Sequence, residues 1–155
     1  MNLKKFSILA VDDDPDVLTA VRLLLKPEVK EILTEKNPEN INAILTKQHF
    51  DLVLLDMNFK SSINTGNEGI FWLKRIKDLR PEIAVIMITA YGDIDLAVRS
   101  LKEGAADFIV KPWHNEKLMN TIEDAIRGKG VKAKVAAGSG DSILGKEMLG
   151  SSEVM

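Results

Sequence analysis

The chain alternates: short apolar runs suited to strands take turns with stretches whose apolar residues recur at helical spacing, which leaves few architectures open. Phe6–Val11 is almost continuously apolar and runs into Asp12-Asp13-Asp14-Pro15-Asp16. Asp14 as N-cap with Pro15 in the first turn predicts a helix, and Val17, Leu18, Val21, Leu24 and Leu25 carry it to Pro27. Val29 to Leu33 predicts a second strand, and Pro38 opens a helix with Ile41, Ile44 and Leu45 on one face. Asp51–Asp56 predicts a buried third strand, apolar between its two aspartates. Ile70, Leu73, Ile76 and Leu79 mark the next helix, which Pro81 ends. Ile83–Ile88 predicts a fourth strand closing in Thr89-Ala90-Tyr91-Gly92, and Asp93 is expected to cap a helix with buried stripe Ile94, Ala97, Val98 and Leu101. After Gly104, Phe108–Val110 predicts a fifth strand closing in Lys111-Pro112, and Leu118, Ile122, Ala125 and Ile126 a last helix up to Gly128.

Continuous apolar strands separated by helices predict a parallel sheet covered on both faces. Right-handed crossovers then lead to a doubly wound α/β fold with a five-stranded sheet. In such a sheet every strand carboxyl end lies on one edge. The first strand therefore delivers Asp12 and Asp13 to the rim, the third Asp56, the fourth Thr89 and the fifth Lys111. Taken singly, each is as well explained by a cap or a turn. Taken together, crowded carboxylates repel and call for a cation, and hard oxygen donors without His or Cys favour Mg²⁺. An ammonium and a hydroxyl beside them complete the parts that stabilise a transferring phosphoryl group.

Composition narrows the class. With 155 residues, 45% hydrophobic and 28% charged, the chain has the make-up of a soluble globular domain with some residues left over. A net charge of −2 gives no reason to expect nucleic-acid binding by this segment. The absence of cysteine excludes disulfides, Cys-ligated zinc and thiol catalysis. No signal-peptide pattern precedes Phe6, and no apolar stretch approaches the ~20 residues of a membrane span, so a cytoplasmic protein without a membrane partner is expected. His49 and His114 call for no role beyond solvated side chains, and Trp72 and Trp113 are expected to pack against neighbouring helices.

Val11-Asp12-Asp13-Asp14-Pro15, Leu54-Leu55-Asp56-Met57, Ile88-Thr89-Ala90 and Val110-Lys111-Pro112 stand in order at the ends of the first, third, fourth and fifth strands. With Gly104-Ala105-Ala106-Asp107-Phe108, this set resembles the receiver domains of two-component response regulators over about residues 4 to 128. The resemblance implies a flavodoxin-like (βα)5 fold with strand order 2-1-3-4-5. It implies that Asp56 accepts a phosphoryl group from a partner histidine kinase, making this a regulatory phosphoacceptor rather than an enzyme in its own right. Asp13, Asp56 and the main-chain carbonyl of Asn58 would hold Mg²⁺, with Asp12 helping through water. Lys111 would pair with the phosphoryl oxygens, Thr89 would move to bond the phosphate, and Phe108 would follow it inward. The face spanning 93–127 would be the switched surface and a homodimer interface.

Thr89-Ala90-Tyr91-Gly92-Asp93 with Ala97-Val98, and Asp107 through Trp113, look like receivers of the nitrogen-regulation class, whose proteins continue into an AAA+ ATPase acting on sigma-N polymerase and a DNA-binding module. Residues 1–128 then form the receiver, the small-residue stretch 129–141 a linker, and 142–155 a tail that resembles the lead-in to that ATPase. A stand-alone receiver or phosphorelay protein is the alternative. A haloacid-dehalogenase-like phosphatase fits less well: Asp14 is followed by Pro15 and Asp16 where that family places its Thr or Val, and Asp56 would have no task. An EF-hand reading of Asp12, Asp14 and Asp16 fails at Val17, where glycine is needed, and at Leu23, where glutamate is needed. Two departures from the receiver pattern stand out. Lys60 replaces the usual proline, and the loop to Gly69 is longer than common. Tyr91 is bulky and is expected to shield the acyl phosphate from water.

Overall fold

The computed structural model describes residues 3–57, 59, 67–90 and 93–128. Asn58, the loop 60–66, Tyr91, the linker 129–141 and the tail 142–155 lie outside the described residues, as do the expectations that fall on them. Five strands form one parallel sheet: β1 Ser7–Val11, β2 Glu31–Glu35, β3 Leu52–Asp56, β4 Ala84–Ala90 and β5 Asp107–Lys111. Their order is β2-β1-β3-β4-β5, as expected for the doubly wound fold. The helices are α1 Pro15–Leu25, α2 Ile41–Lys47, α3 Asn67–Leu79, α4 Ile94–Lys102 and α5 Asn115–Ile126.

Period-two alternation divides the strand side chains between two cores. Val53, Leu55, Val85 and Met87 pack with Ile41 and Leu45 of α2 and Leu73 and Ile76 of α3. Leu52, Leu54, Ile86 and Ile88 pack on the opposite face with Val21 and Leu25 of α1 and Leu118 and Ile122 of α5. Strands β1 and β3 are buried along their whole length, which explains their lack of polar alternation. Burial of each such side chain contributes about 1.5–3 kcal/mol, so the sheet centre is the most firmly determined part of the molecule.

The local signals act largely as their chemistry suggests. The Asp14 carboxylate accepts the Asp16 N–H at 3.0 Å, Pro15 needs no partner in the first turn, and α1 ends before Pro27. Two expectations shift. The second strand runs from Glu31 to Glu35 rather than from Val29 to Leu33. Val29 is buried, but its N–H donates to Leu25 O at the end of α1, and strand pairing starts only where Ser7 meets Glu31. In α4 the buried positions are Ala97 and Ser100, while Ile94 and Val98 are each 44% exposed. The Ser100 hydroxyl is satisfied inside by Ala97 O at 2.6 Å, so the helix rolls its small side onto the sheet. Asp93 precedes α4, yet its side chain makes no capping bond.

Candidate functional site

Strand register decides which residues meet at the carboxyl edge. Val11 is level with Leu55 and Asp56 with Ile88, so Asp12 and Asp13 emerge beside Asp56. On the other side Thr89 is level with Val110 and Ala90 with Lys111. The sheet therefore brings together Asp12, Asp13, Asp56, Thr89 and Lys111 from four separated stretches of chain. Carboxylate oxygens of Asp12, Asp13 and Asp56 all lie within 4.8 Å of one another, an arrangement that could hold a metal ion.

Asp12 and Asp56 are buried and Asp13 is partly exposed. One Asp12 oxygen accepts the Asp14 N–H at 2.9 Å, and the other lies 3.1 Å from the Lys111 ammonium. Lys111 Nζ also stands 3.5 Å from Asp56 Oδ1. Burial raises the Asp12 carboxyl above its ordinary value, although the Asp14 amide and the Lys111 charge both work against the rise. At Lys111 burial opposes the charged form, but the charges of Asp56 and Asp12 outweigh it and raise the ammonium's pKa. The cluster thus holds more negative charge than one lysine neutralises, in a site largely withdrawn from water.

Thr89 is fully buried at the end of β4, and its hydroxyl reaches Ala90 O only at 3.5 Å. That is a long hydrogen bond, weakly held. Phe108 is half-buried against the core face that contains Met87. An open groove of about 490 Å³, lined mainly by Val17, Ala20, Ala90, Pro112 and Trp113, borders Lys111.

Glu68, in the first turn of α3, was not singled out by the sequence pattern. Burial and then the nearby Asp13 charge raise its carboxyl, while a hydrogen bond from the Phe59 N–H lowers it. In the sequence it belongs to the polar stretch between two clear apolar patterns, where spacing carries no message. The following Gly69 was the available signal. A side chain on Gly69 would meet Met57 O at 2.5 Å and Asp56 O at 2.9 Å, so α3 lies directly on the backbone of the Asp56 loop.

Comparison with known proteins places these features in context. The sequence profile of the response regulator receiver domain matches residues 8–123. The chain is 34% identical over 122 residues to the transcriptional regulatory protein ZraR of Salmonella typhimurium, covering 79% of this chain and 26% of that protein. It is 34% identical over 119 residues to the nitrogen assimilation regulatory protein NtrX of Azorhizobium caulinodans, covering 77% of this chain and 26% of that protein. The chain thus spans about a quarter of the length of these curated relatives. Among solved structures, the N-terminal signal receiver domain of a two-component response regulator from Bacteroides fragilis superposes with a TM-score of 0.71 at 48% identity, covering 77% of this chain and 95% of that one.

Proposed function

Because this chain belongs to the response regulator receiver domain family, we propose that Asp56 is its phosphoacceptor and that a histidine kinase is the donor. An Asp56 carboxylate oxygen attacks the phosphorus of a phosphohistidine; the P–O bond forms, the P–N bond breaks, and imidazole leaves with the electron pair. The product is an acyl phosphate. Asp13, Asp56 and the main-chain carbonyl of Asn58 would hold Mg²⁺, with Asp12 acting through water; the all-oxygen donors within 4.8 Å fit a hard cation. The ion, when bound, would offset charge on the transferring oxygens. The Lys111 ammonium, 3.5 Å from Asp56 Oδ1, pairs with the phosphoryl group as it arrives. Thr89 leaves its long bond to Ala90 O for the new oxyanion, and Phe108 moves into the space behind it.

The observation that carries this reading is a buried Asp56 sharing a rim with two further aspartates and a lysine. The test is intact mass after incubation with Mg²⁺ and acetyl phosphate. One phosphoryl adduct is expected on the wild type, lost on hydroxylamine treatment and absent from Asp56→Asn. An adduct retained by Asp56→Asn would refute the assignment.

The module is a regulator whose output is surface change, so its partners follow from its surfaces. The groove beside Lys111 suits a kinase helix bringing its phosphohistidine to Asp56. Exposed Ile94 and Val98 support the 93–127 face as a homodimer interface. We assign residues 1–128 to the receiver, 129–141 to a linker and 142–155 to the lead-in of an AAA+ ATPase that activates sigma-N polymerase, with a DNA-binding module beyond. The relatives' greater length and their transcriptional regulatory names support that assignment. Among the described residues no helix is long and apolar enough to cross a membrane. The cytoplasm, where ATP charges the kinase histidine, is the proposed location.

A further inference from the structure

We infer that α3 is a second link between the Asp56 loop and α4, reaching the carboxyl end of α4 while Thr89 acts at its amino end. The inference rests on the proposed function, in which Asp56 is phosphorylated and Thr89 responds.

At its amino end α3 lies on the backbone that follows Asp56. The Gly69 N–H donates to Met57 O at 3.0 Å, and a Cβ at Gly69 would meet the same oxygen at 2.5 Å. The Met57 N–H donates in turn to Ile88 O at 2.8 Å, and the Met57 side chain is fully buried. Met57 is therefore wedged between β4 and α3, with little slack to absorb a shift of Asp56. From Ile70 to Leu79 the helix contains neither glycine nor proline, so it acts as a rod rising about 1.5 Å per residue.

Farther along, the rod meets the last turn of α4. Lys74 Nζ stands 3.4 Å from Glu103 Oε1, and Glu103 is the C-cap of α4. The next residue, Gly104, has φ +116°, and a Cβ there would lie 3.4 Å from Cγ of Lys77. Lys77 is itself pinned, its ammonium donating to Pro81 O at 2.9 Å and to Ile83 O at 2.8 Å. A rod pinned at Lys77 and pushed at Gly69 tilts, and Lys74 lies between those two points. The Lys74–Glu103 pair reaches the surface, so it is held weakly enough to be made or broken by such a tilt. The end of α4 is stiff: the Glu103 N–H donates to Arg99 O and Ser100 O, the Ala105 N–H to Ser100 O, and the Ala106 N–H to Val85 O. The amino end of α4 is attached differently, the Asp93 N–H donating to Ala90 O one residue past Thr89. Both ends of α4 thus lead back to Asp56, by separate chains of contacts.

The test is amide hydrogen exchange of the whole chain in Mg²⁺, before and after acetyl phosphate, with the adduct confirmed by intact mass. The Ala105 N–H reports the carboxyl end of α4, and the Ala97 N–H, which donates to Asp93 O, reports the amino end. In the wild type both amides are expected to change exchange rate by about fivefold or more on phosphorylation. Thr89→Ala should lose the change at Ala97 and keep most of that at Ala105. Lys74→Glu should do the reverse. Combining Lys74→Glu with Glu103→Lys should restore the Ala105 response, a rescue that a merely structural role of either side chain would not give. Both side chains reach the surface, so these variants are expected to fold. An Ala105 amide that stays silent in the phosphorylated wild type or in phosphorylated Thr89→Ala overturns the inference and leaves Asp56 as acceptor. So does an Ala105 response that survives intact in Lys74→Glu, or an exchanged pair that restores nothing. If the wild type takes no phosphoryl group, the proposed function fails and the inference with it.

Discussion

Lys111 Nζ lies 3.1 Å from Asp12 Oδ2 and 3.5 Å from Asp56 Oδ1, so the ammonium leans toward the aspartate that is not the proposed acceptor. The lysine serves as a counter-ion to both buried aspartates.

Replacing Lys111 with methionine removes that counter-ion while keeping much of its apolar stem. The Mg²⁺-free protein should lose stability, because Asp12 and Asp56 then face each other uncompensated. Mg²⁺ should bind more tightly, by roughly threefold to tenfold, since no internal cation competes for the same carboxylates. Phosphoryl uptake should slow even with the ion saturating. Chelator-controlled thermal melts, Mg²⁺ titration and phosphorylation kinetics test the three parts separately, and weaker Mg²⁺ binding would contradict the counter-ion account.

Asp12→Asn should stabilise the Mg²⁺-free protein at neutral pH. Burial raises the Asp12 pKa above the ordinary 3.8, so the ionised form is held at a cost to the fold. Sign follows from linkage: a raised carboxyl contributes most below its unfolded pKa and loses that contribution as pH rises through the folded value. Asparagine retains an oxygen for the Asp14 N–H and avoids the charge, at the expense of the pair with Lys111. A net gain in stability is expected in urea titrations at pH 7 with chelator, shrinking as pH falls toward 3.8. Excess Mg²⁺ should erase or reverse the gain, because the wild type then binds a ligand that the variant holds less well.

Gly69→Ala should be costly for steric reasons alone. Its Cβ would stand 2.5 Å from Met57 O and 2.7 Å from Met57 Cα, both backbone atoms that cannot swing aside. A loss of about 1–3 kcal/mol is expected from overpacking. Since the strained backbone leads directly from Asp56, phosphoryl uptake should fall in the fraction that remains folded. An unchanged melting temperature would mean that α3 can retreat freely from the loop.

Ile94→Glu with Val98→Glu should leave the fold intact, because both side chains are 44% exposed on α4. The change in stability should stay within about 0.5 kcal/mol per site. Self-association of the phosphorylated protein, followed by light scattering at graded concentrations, should weaken by at least tenfold if this face forms the dimer. Undiminished association would move the interface elsewhere.

How much of this was readable beforehand differs from element to element. Strand β3 was plain because a strand buried on both faces must be continuously apolar, and Leu52 to Leu55 are. The rim aspartates, Thr89 and Lys111 were plain because a parallel sheet sends all its carboxyl ends to one edge. Strand β2 was misjudged by two residues: Val29 is apolar because it closes the end of α1, not because it pairs with β1.

On α4 periodicity was right for Ala97 and Leu101, which pack on the core, and wrong for Ile94 and Val98. Ile94, Ala97, Val98 and Leu101 all fit one helical stripe, but a stripe wider than the buried strip leaves the roll angle open. The sheet selected the side carrying Ala97 and Ser100, and the larger Ile94 and Val98 were turned outward. Glu68 went unnoticed for a related reason, since its relation to Asp13 and Phe59 joins positions that no local repeat connects.

Element order, strand polarity and the identity of the rim residues follow from local patterning, because hydrophobic period and turn chemistry act over a few neighbouring residues. The lean of Lys111 toward Asp12, the outward face of α4 and the grip of α3 on the Asp56 loop depend on packing between distant segments. Those arrangements are set by volume, register and charge in three dimensions, where neighbours along the chain no longer determine neighbours in space.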